Sequence, residues 1–179
     1  MILASGSPQR RAILEQLGVA FEVRVPNVEE LTHGDPRETV IENARRKTRA
    51  VSAPDRVLGV DTAVVLGERI FGKPRDADEA AGFLLELSGR SHDVMSGIAL
   101  REPGGSERTD VAVTRVRMRR LEGPLLDWYL ATGEWAERAG GYAIQGRGAA
   151  LVDAIEGDYT NVVGLPVPAL LRLAPDLLA

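Results

Sequence analysis

Acids, cations and one amide stand in this chain where neither a plain core nor a plain surface asks for them. Asp61 closes the apolar run "VLGVD" at residues 57–61, and Glu29 and Glu30 pair in a loop. Such oxygen ligands suit a hard divalent cation. Arg10, Arg11, Lys47 and Lys73 offer positive charge to phosphates. Gln145, inside "AGGYAIQGRGAALVDAIEGDYTNVVGLP", can both donate and accept, as reading the edge of a nucleobase requires.

Each group has a plainer alternative. In "ASGSPQRRAILEQLG", residues 4–18, Ser7 suits a helix N-cap and Pro8 the first helical position. Ala12, Ile13 and Leu17 form an apolar stripe, and Gly18 closes the end. The positive end of the macrodipole disfavours cations, yet Arg10 and Arg11 stand there. Ser5, Gly6 and Ser7 bring backbone N–H groups to the same place and make a ready anion site. The spacing is not that of a P-loop. The alternative is a pair of solvated arginines.

Asp35, Pro36 and Glu38 have capping-box spacing ahead of a helix through "RETVIENARRKTRAVS". Val40, Ala44, Lys47 and Val51 share one face of it, so Lys47 interrupts a core-facing stripe. An inward ammonium needs a partner; a lysine snorkelling at the stripe's edge is the alternative. Asp61 sits at the carboxyl end of its predicted strand, where α/β sheets usually bind ligands, or else caps a turn. Lys73, in "GKP" before a capped helix, is stiffly presented.

The 179 residues include no cysteine and only two histidines, His33 and His92. Thiol nucleophiles, disulfides and thiolate zinc sites are excluded, and a histidine-rich metal site is disfavoured. A formal net charge of −4 lacks the basic field of many nucleic-acid-binding proteins, so no such partner is expected. The start "MILASGSP" lacks a signal peptide's basic and apolar regions. No apolar run approaches the roughly 20 residues of a membrane helix. A soluble, cytoplasmic, single domain over 1–179 is predicted.

Strands are predicted at 2–4, 21–25 and 57–61, with a hairpin turning near Gly67-Glu68 and a helix capped by Asp76. An antiparallel pair follows, joined through "PGGSER". In its second strand Val111 and Val113 alternate on one parity, Val116 and Met118 on the other, which predicts a bulge near Thr114 or Arg115. A helix near 124–132 and a closing helix interrupted at Pro175 complete an α/β or α+β order.

In order, "LASGSPQRRAILEQLG", "VEE", "ARRKTRA", "GVDTAVVL", "GKPRDADEA", "LSGRSHDVMSG" and the glycine-rich segment at 140–166 resemble the Maf family of nucleoside triphosphate pyrophosphatases. The resemblance covers nearly the whole chain. It implies a mixed, twisted α/β sheet flanked by helices, with two lobes around a cleft, similar to the inosine triphosphate pyrophosphatase-like fold. It implies hydrolysis of a nucleoside triphosphate to the monophosphate and pyrophosphate, with Mg²⁺ or Mn²⁺, in proteins that are frequently homodimers.

By the same resemblance Asp61 matches the family's catalytic acid, and Glu30 and Asp61 are the candidate metal ligands. Ser7, Arg10, Lys47 and Lys73 are expected to bind the phosphates, with Arg11 peripheral. Thr62 and Gln145 match base-choice positions of the branch acting on dTTP and UTP; another branch prefers 7-methyl-GTP. Gln9 departs from the arginine usual there in the dTTP/UTP branch. The family is also linked to septum formation, so a nucleotide-binding division regulator is the alternative to an enzyme.

Overall fold

The computed structural model of the chain describes residues 1–178. Its strands are β1 (Ile2–Ala4), β2 (Glu22–Val23), β3 (Val57–Leu66), β4 (Arg69–Phe71), β5 (Ser91–Arg101), β6 (Glu107–Met118) and β7 (Val152–Glu156). Its helices are α1 (Pro8–Gln16), α2 (Pro36–Arg49), α3 (Ala77–Leu87), α4 (Gly123–Leu130), α5 (Tyr159–Val163) and α6 (Val167–Leu173). The strands form one mixed seven-stranded sheet in the order β2-β1-β3-β5-β6-β7, with β4 paired to β3. β1 runs parallel to both neighbours; every pairing from β3 onward through β5, β6 and β7 is antiparallel.

Local chemistry explains where the helices begin. The Ser7 hydroxyl accepts from the Arg10 N–H at 3.4 Å, Asp35 from the Glu38 N–H at 3.0 Å, and Asp76 from the Glu79 N–H at 2.8 Å. α2 ends at Arg49 rather than running on to Ser52, as its predicted span had it. β2 is likewise shorter than the predicted 21–25, and Val25 is largely exposed.

The strand that organises the molecule is β3. β5 pairs with it from Val57 to Val65 along one edge. On the other edge β1 covers residues 57–59 and β4 covers 64–66. Residues 60–63 therefore have no strand beside them on that edge, and a cleft opens there. Asp61 lies in the middle of β3, not at its carboxyl end as expected. The strand end beside it is that of β1, which stops at Ala4, opposite Gly59.

Side chains alternate between the faces of a strand, and the even-numbered positions of β3 and β5 bury themselves in two separate clusters. Leu58, Val60, Ile98 and Leu100 pack with Leu3, Leu14 and Leu170. Val64 and Val94 pack with Phe71, Leu84, Val116 and Met118. Between the clusters, on the same face, sit the cross-strand partners Thr62 and Ser96. The two lobes are these two cores, parted by a polar pair.

α2 covers the opposite face at very short range. A Cβ on Gly59 would lie 2.3 Å from the Ala44 carbonyl oxygen, and one on Gly97 would lie 2.2 Å from that of Val40. Both glycines serve close approach. They let α2 lie against the strands, with Val40, Ala44, Lys47 and Val51 all buried as their spacing predicts.

β6 holds no bulge near Thr114 or Arg115: its pairing with β5 is continuous from Glu107 to Arg117. A register shift occurs instead toward β7, between Arg117 and Met118. The apparent change of phase has another cause. Val111 packs beside Val40 and Met95 on the α2 face, whereas Val116 and Met118 enter the second core on the other face. Opposite faces are covered at opposite ends of one regular strand.

Candidate active site

The open edge of β3 admits a cleft of about 990 Å³, lined by Ser7, Gln9, Arg10, Glu30, Lys47, Asp61, Thr62, Lys73 and Gln145. Every residue expected to act on substrate or metal therefore borders one space. Arg11 and Glu29 do not border it, and both are exposed.

On the α2 face, Lys47 is buried and its Nζ lies 2.7 Å from both Asp61 Oδ1 and Glu30 Oε1. It also donates to the Val60 carbonyl oxygen at 3.2 Å. The lysine that interrupts the apolar stripe thus has its partners, which is what burial of an ammonium demands. Asn43, one turn earlier on α2, donates from Nδ2 to Asp61 Oδ2 at 2.9 Å. Sequence reasoning passed over Asn43; its position four residues before Lys47 was the only available signal.

On the other face, Arg10 turns back from the first turn of α1 to reach three neutral oxygens. It donates to the Gly164 carbonyl at 2.8 Å, the Ser5 hydroxyl at 2.8 Å and the Thr62 hydroxyl at 3.1 Å. The Thr62 and Ser96 hydroxyls share a hydrogen bond of 2.8 Å. Burial lowers the Arg10 pKa, and the nearby charges of Asp61 and Glu30 oppose that shift. Neutral acceptors fix the guanidinium without cancelling its charge, so the charge remains available to an anion in the cleft. The Ser7 hydroxyl, besides capping α1, donates to Gln9 Oε1 at 3.2 Å, which ties Gln9 down beside the helix end.

Lys73 and Gln145 also line the cleft. Lys73 is exposed and donates to Glu137 Oε2 at 2.8 Å, and both residues line the cleft. Glu137 holds a left-handed backbone conformation with φ of 59°. Gln145 is exposed at the start of a 3₁₀ turn, Gly146–Leu151. Glu134 clamps that turn, accepting from the Arg147 and Gly148 N–H groups, each at 3.1 Å. Upstream, the buried Tyr142 hydroxyl meets His92 Nε2 at 2.7 Å, and the Gly140 N–H donates to the Gly72 carbonyl at 3.0 Å. Burial pushes the His92 pKa down to about 4 and raises that of the Tyr142 phenol. Glu134 gave no sign in the sequence, since nothing local marks a carboxylate for a turn eleven or more residues away.

The donor set fits a hard divalent cation. Glu30 and Asp61 converge on a single point now taken by the Lys47 ammonium, and both present oxygen. Among the described residues no group of three or more His, Cys, Asp or Glu side chains gathers to hold a metal alone. Phosphate oxygens and water would have to complete the shell, as Mg²⁺ sites on phosphate substrates usually arrange it. No helix of the described residues is long and apolar enough to cross a membrane.

Residues 1–177 match the family model described as Maf-like protein. Among curated relatives, a dTTP/UTP pyrophosphatase of Anaeromyxobacter dehalogenans is 47% identical over 97% of this chain and 93% of its own. One of Ruegeria sp. is 50% identical over 93% of this chain and 88% of its own. One of Pyrococcus furiosus is 42% identical over 97% and 93%. A solved structure, the Ham1 protein of Staphylococcus aureus, aligns with 65% of this chain and 70% of its own at TM-score 0.48 and 14% identity.

Proposed function

The chain belongs to the Maf family, and on that premise we propose that it is a metal-dependent nucleoside triphosphate pyrophosphatase that hydrolyses dTTP and UTP to the monophosphate and pyrophosphate. The observation that carries this reading is the cluster of Asp61, Glu30 and Lys47 opening into the same cleft as Arg10. A site for simple anion binding needs no convergent acids.

Ser7, the N–H groups at the start of α1 and Arg10 bind phosphate oxygens at one wall of the cleft. Lys47 and Lys73 neutralise charge on the phosphates and on the departing pyrophosphate. Asp61 orients the attacking water and accepts its proton. The new bond joins that oxygen to the α-phosphorus; the bond from the α-phosphorus to the bridging oxygen breaks, and pyrophosphate leaves with the electron pair. Glu30 and Asp61 would hold Mg²⁺ or Mn²⁺, which when bound would supply Lewis-acid polarisation of the phosphate oxygens. Gln145 reads the edge of the base. Thr62, its hydroxyl engaged with Arg10 and Ser96, acts on base choice through the placement of Arg10. A homodimer and a cytoplasmic location follow from the same family reading.

Pyrophosphate release from dTTP, UTP, CTP and 7-methyl-GTP, each with Mg²⁺, Mn²⁺ or chelator, tests it. Metal-dependent turnover of dTTP and UTP is expected, with Asp61→Ala folded and slower by at least about 100-fold. Turnover across the panel would mean that Gln9 has relaxed base choice. Absence of turnover in a folded protein would favour a nucleotide-binding regulator of division.

A further inference from the structure

The two acids of the site come from very different backbone. Asp61 is held in the middle of the sheet, but Glu30 belongs to a segment between β2 and α2 with no regular structure. The backbone–backbone hydrogen bonds outside helices and strands skip residues 25–34 altogether. What holds that segment is α2. Arg46 donates from Nη1 to the Glu29 carbonyl at 3.1 Å, Lys47 pairs with Glu30 at 2.7 Å, and Asn43 grips Leu31.

Asn43 is 2% exposed, and its amide is used at both ends. Oδ1 accepts from the Leu31 N–H at 2.7 Å, while Nδ2 donates to the Leu31 carbonyl at 3.0 Å and to Asp61 Oδ2 at 2.9 Å. The Leu31 N–H can face only an oxygen, so this bond fixes which way the amide points. Nδ2 is thereby turned toward Asp61, and Asp61 Oδ1 is left to Lys47.

We infer that Asn43 is the positioning residue that couples the two acids, setting the plane of the Asp61 carboxylate and the place of Glu30 through one side-chain amide. The inference rests on the pyrophosphatase reading for its kinetic consequence and on geometry alone for its structural one. Residues that orient the carboxylates and imidazoles around metal sites typically change affinity or activity by about 10–100-fold when removed.

The test joins steady-state kinetics to amide hydrogen exchange. In the wild-type protein the Leu31 amide should exchange far more slowly than those of Glu29 and His33. Asn43→Ala should lower kcat on dTTP by about 10–100-fold, leave KM within about threefold, and speed Leu31 exchange at least about tenfold. Asn43→Asp keeps an oxygen for the Leu31 N–H but loses both donated bonds and sets a carboxylate against Asp61. It should keep Leu31 protected and still lose kcat. A residue that merely braces the loop predicts the reverse: kcat follows Leu31 protection, and Asn43→Asp stays active. That pattern, or an unprotected Leu31 amide in the wild type, would overturn the inference. A folded wild type that releases no pyrophosphate would instead overturn the pyrophosphatase reading, while the exchange data still judge the clamp.

Discussion

Asp61 and Thr62 are neighbours in the chain but act on opposite faces of β3. Asp61 meets Lys47 at 2.7 Å and Asn43 at 2.9 Å on the α2 side, whereas Thr62 meets Ser96 at 2.8 Å and Arg10 at 3.1 Å on the α1 side. Both border the same cleft because the strand edge between β1 and β4 is free. The acid and the guanidinium therefore face one cleft around the edge of a sheet rather than across its face.

Substitutions at the two positions should separate in kinetics. Asp61→Asn should lower kcat by at least about 100-fold with little change in KM, since proton acceptance is lost. Thr62→Val leaves Arg10 Nη2 and the Ser96 hydroxyl each a partner short. It should cost about 1–2 kcal/mol of stability and mainly raise KM. Steady-state rates with dTTP and urea unfolding read both, and an unchanged KM for Thr62→Val would detach Thr62 from substrate placement.

Lys47→Met should destabilise the fold by about 3 kcal/mol, because Asp61 is left buried beside Glu30 with no cation in contact, only the more distant Arg10. The figure is at the low end of the usual range because Glu30 is 44% exposed. A loss under about 1 kcal/mol in urea unfolding would mean that the acids move apart and rehydrate.

Gly97→Ala and Gly59→Ala should each cost at least about 3 kcal/mol, since the added methyl meets helix backbone that cannot step aside. What remains folded should also turn over slowly, because α2 carries Asn43 and Lys47. Gly82→Ala, in α3 with nothing within 4 Å of the added carbon, should stabilise by about 1 kcal/mol and leave turnover unchanged. Thermal melts with activity assays on the same samples make the comparison.

His92 should make the protein acid-sensitive. Its pKa falls from 6.5 to about 4 on burial, and its Nδ1 has no hydrogen-bond partner. Between those values the unfolded chain binds a proton that the fold refuses. Stability is therefore fully present above about pH 6.5 and is lost as pH falls toward 4, by about 3 kcal/mol in all. Urea midpoints from pH 7.5 to 4.5 should show a shallower decline for His92→Asn than for the wild type; parallel declines would contradict it.

Glu134→Gln should loosen the turn that presents Gln145: the two carboxylate oxygens accept separately from the Arg147 and Gly148 N–H groups, whereas an amide has one acceptor oxygen and sets its NH2 donors against the other N–H. The expected result is a severalfold loss of discrimination between dTTP and other triphosphates with dTTP turnover largely kept. Equal selectivity in a rate panel would show that Gln145 is held by other means.

Much of this was legible along the chain because it is local. Ser7, Asp35 and Asp76 cap the helices their spacing announces. The inward face of α2 follows from a period that needs no tertiary information. Asp61, Lys47 and Arg10 were likewise open to reading as candidates, because each breaks a local expectation of its own element; Glu30, in a loop, was offered only by its pairing with Glu29 and by the family resemblance. The bulge expected in β6 failed for the converse reason: alternation in one strand cannot tell a bulge from a strand covered on different faces at its two ends.

The sequence alone determined most of the elements, though not β7 and α5 in its glycine-rich segment, which residues carry charge into them, and the family to which they belong. Only the tertiary structure decided that β1 stops short while β3 continues, so that Asp61 stands mid-strand beside an open edge. It alone decided that Arg10 is spent on three neutral acceptors, and that Asn43 ties Glu30's loop to Asp61. Strand pairing and side-chain partnership join residues far apart in the chain, and their energies depend on distances that no local pattern encodes.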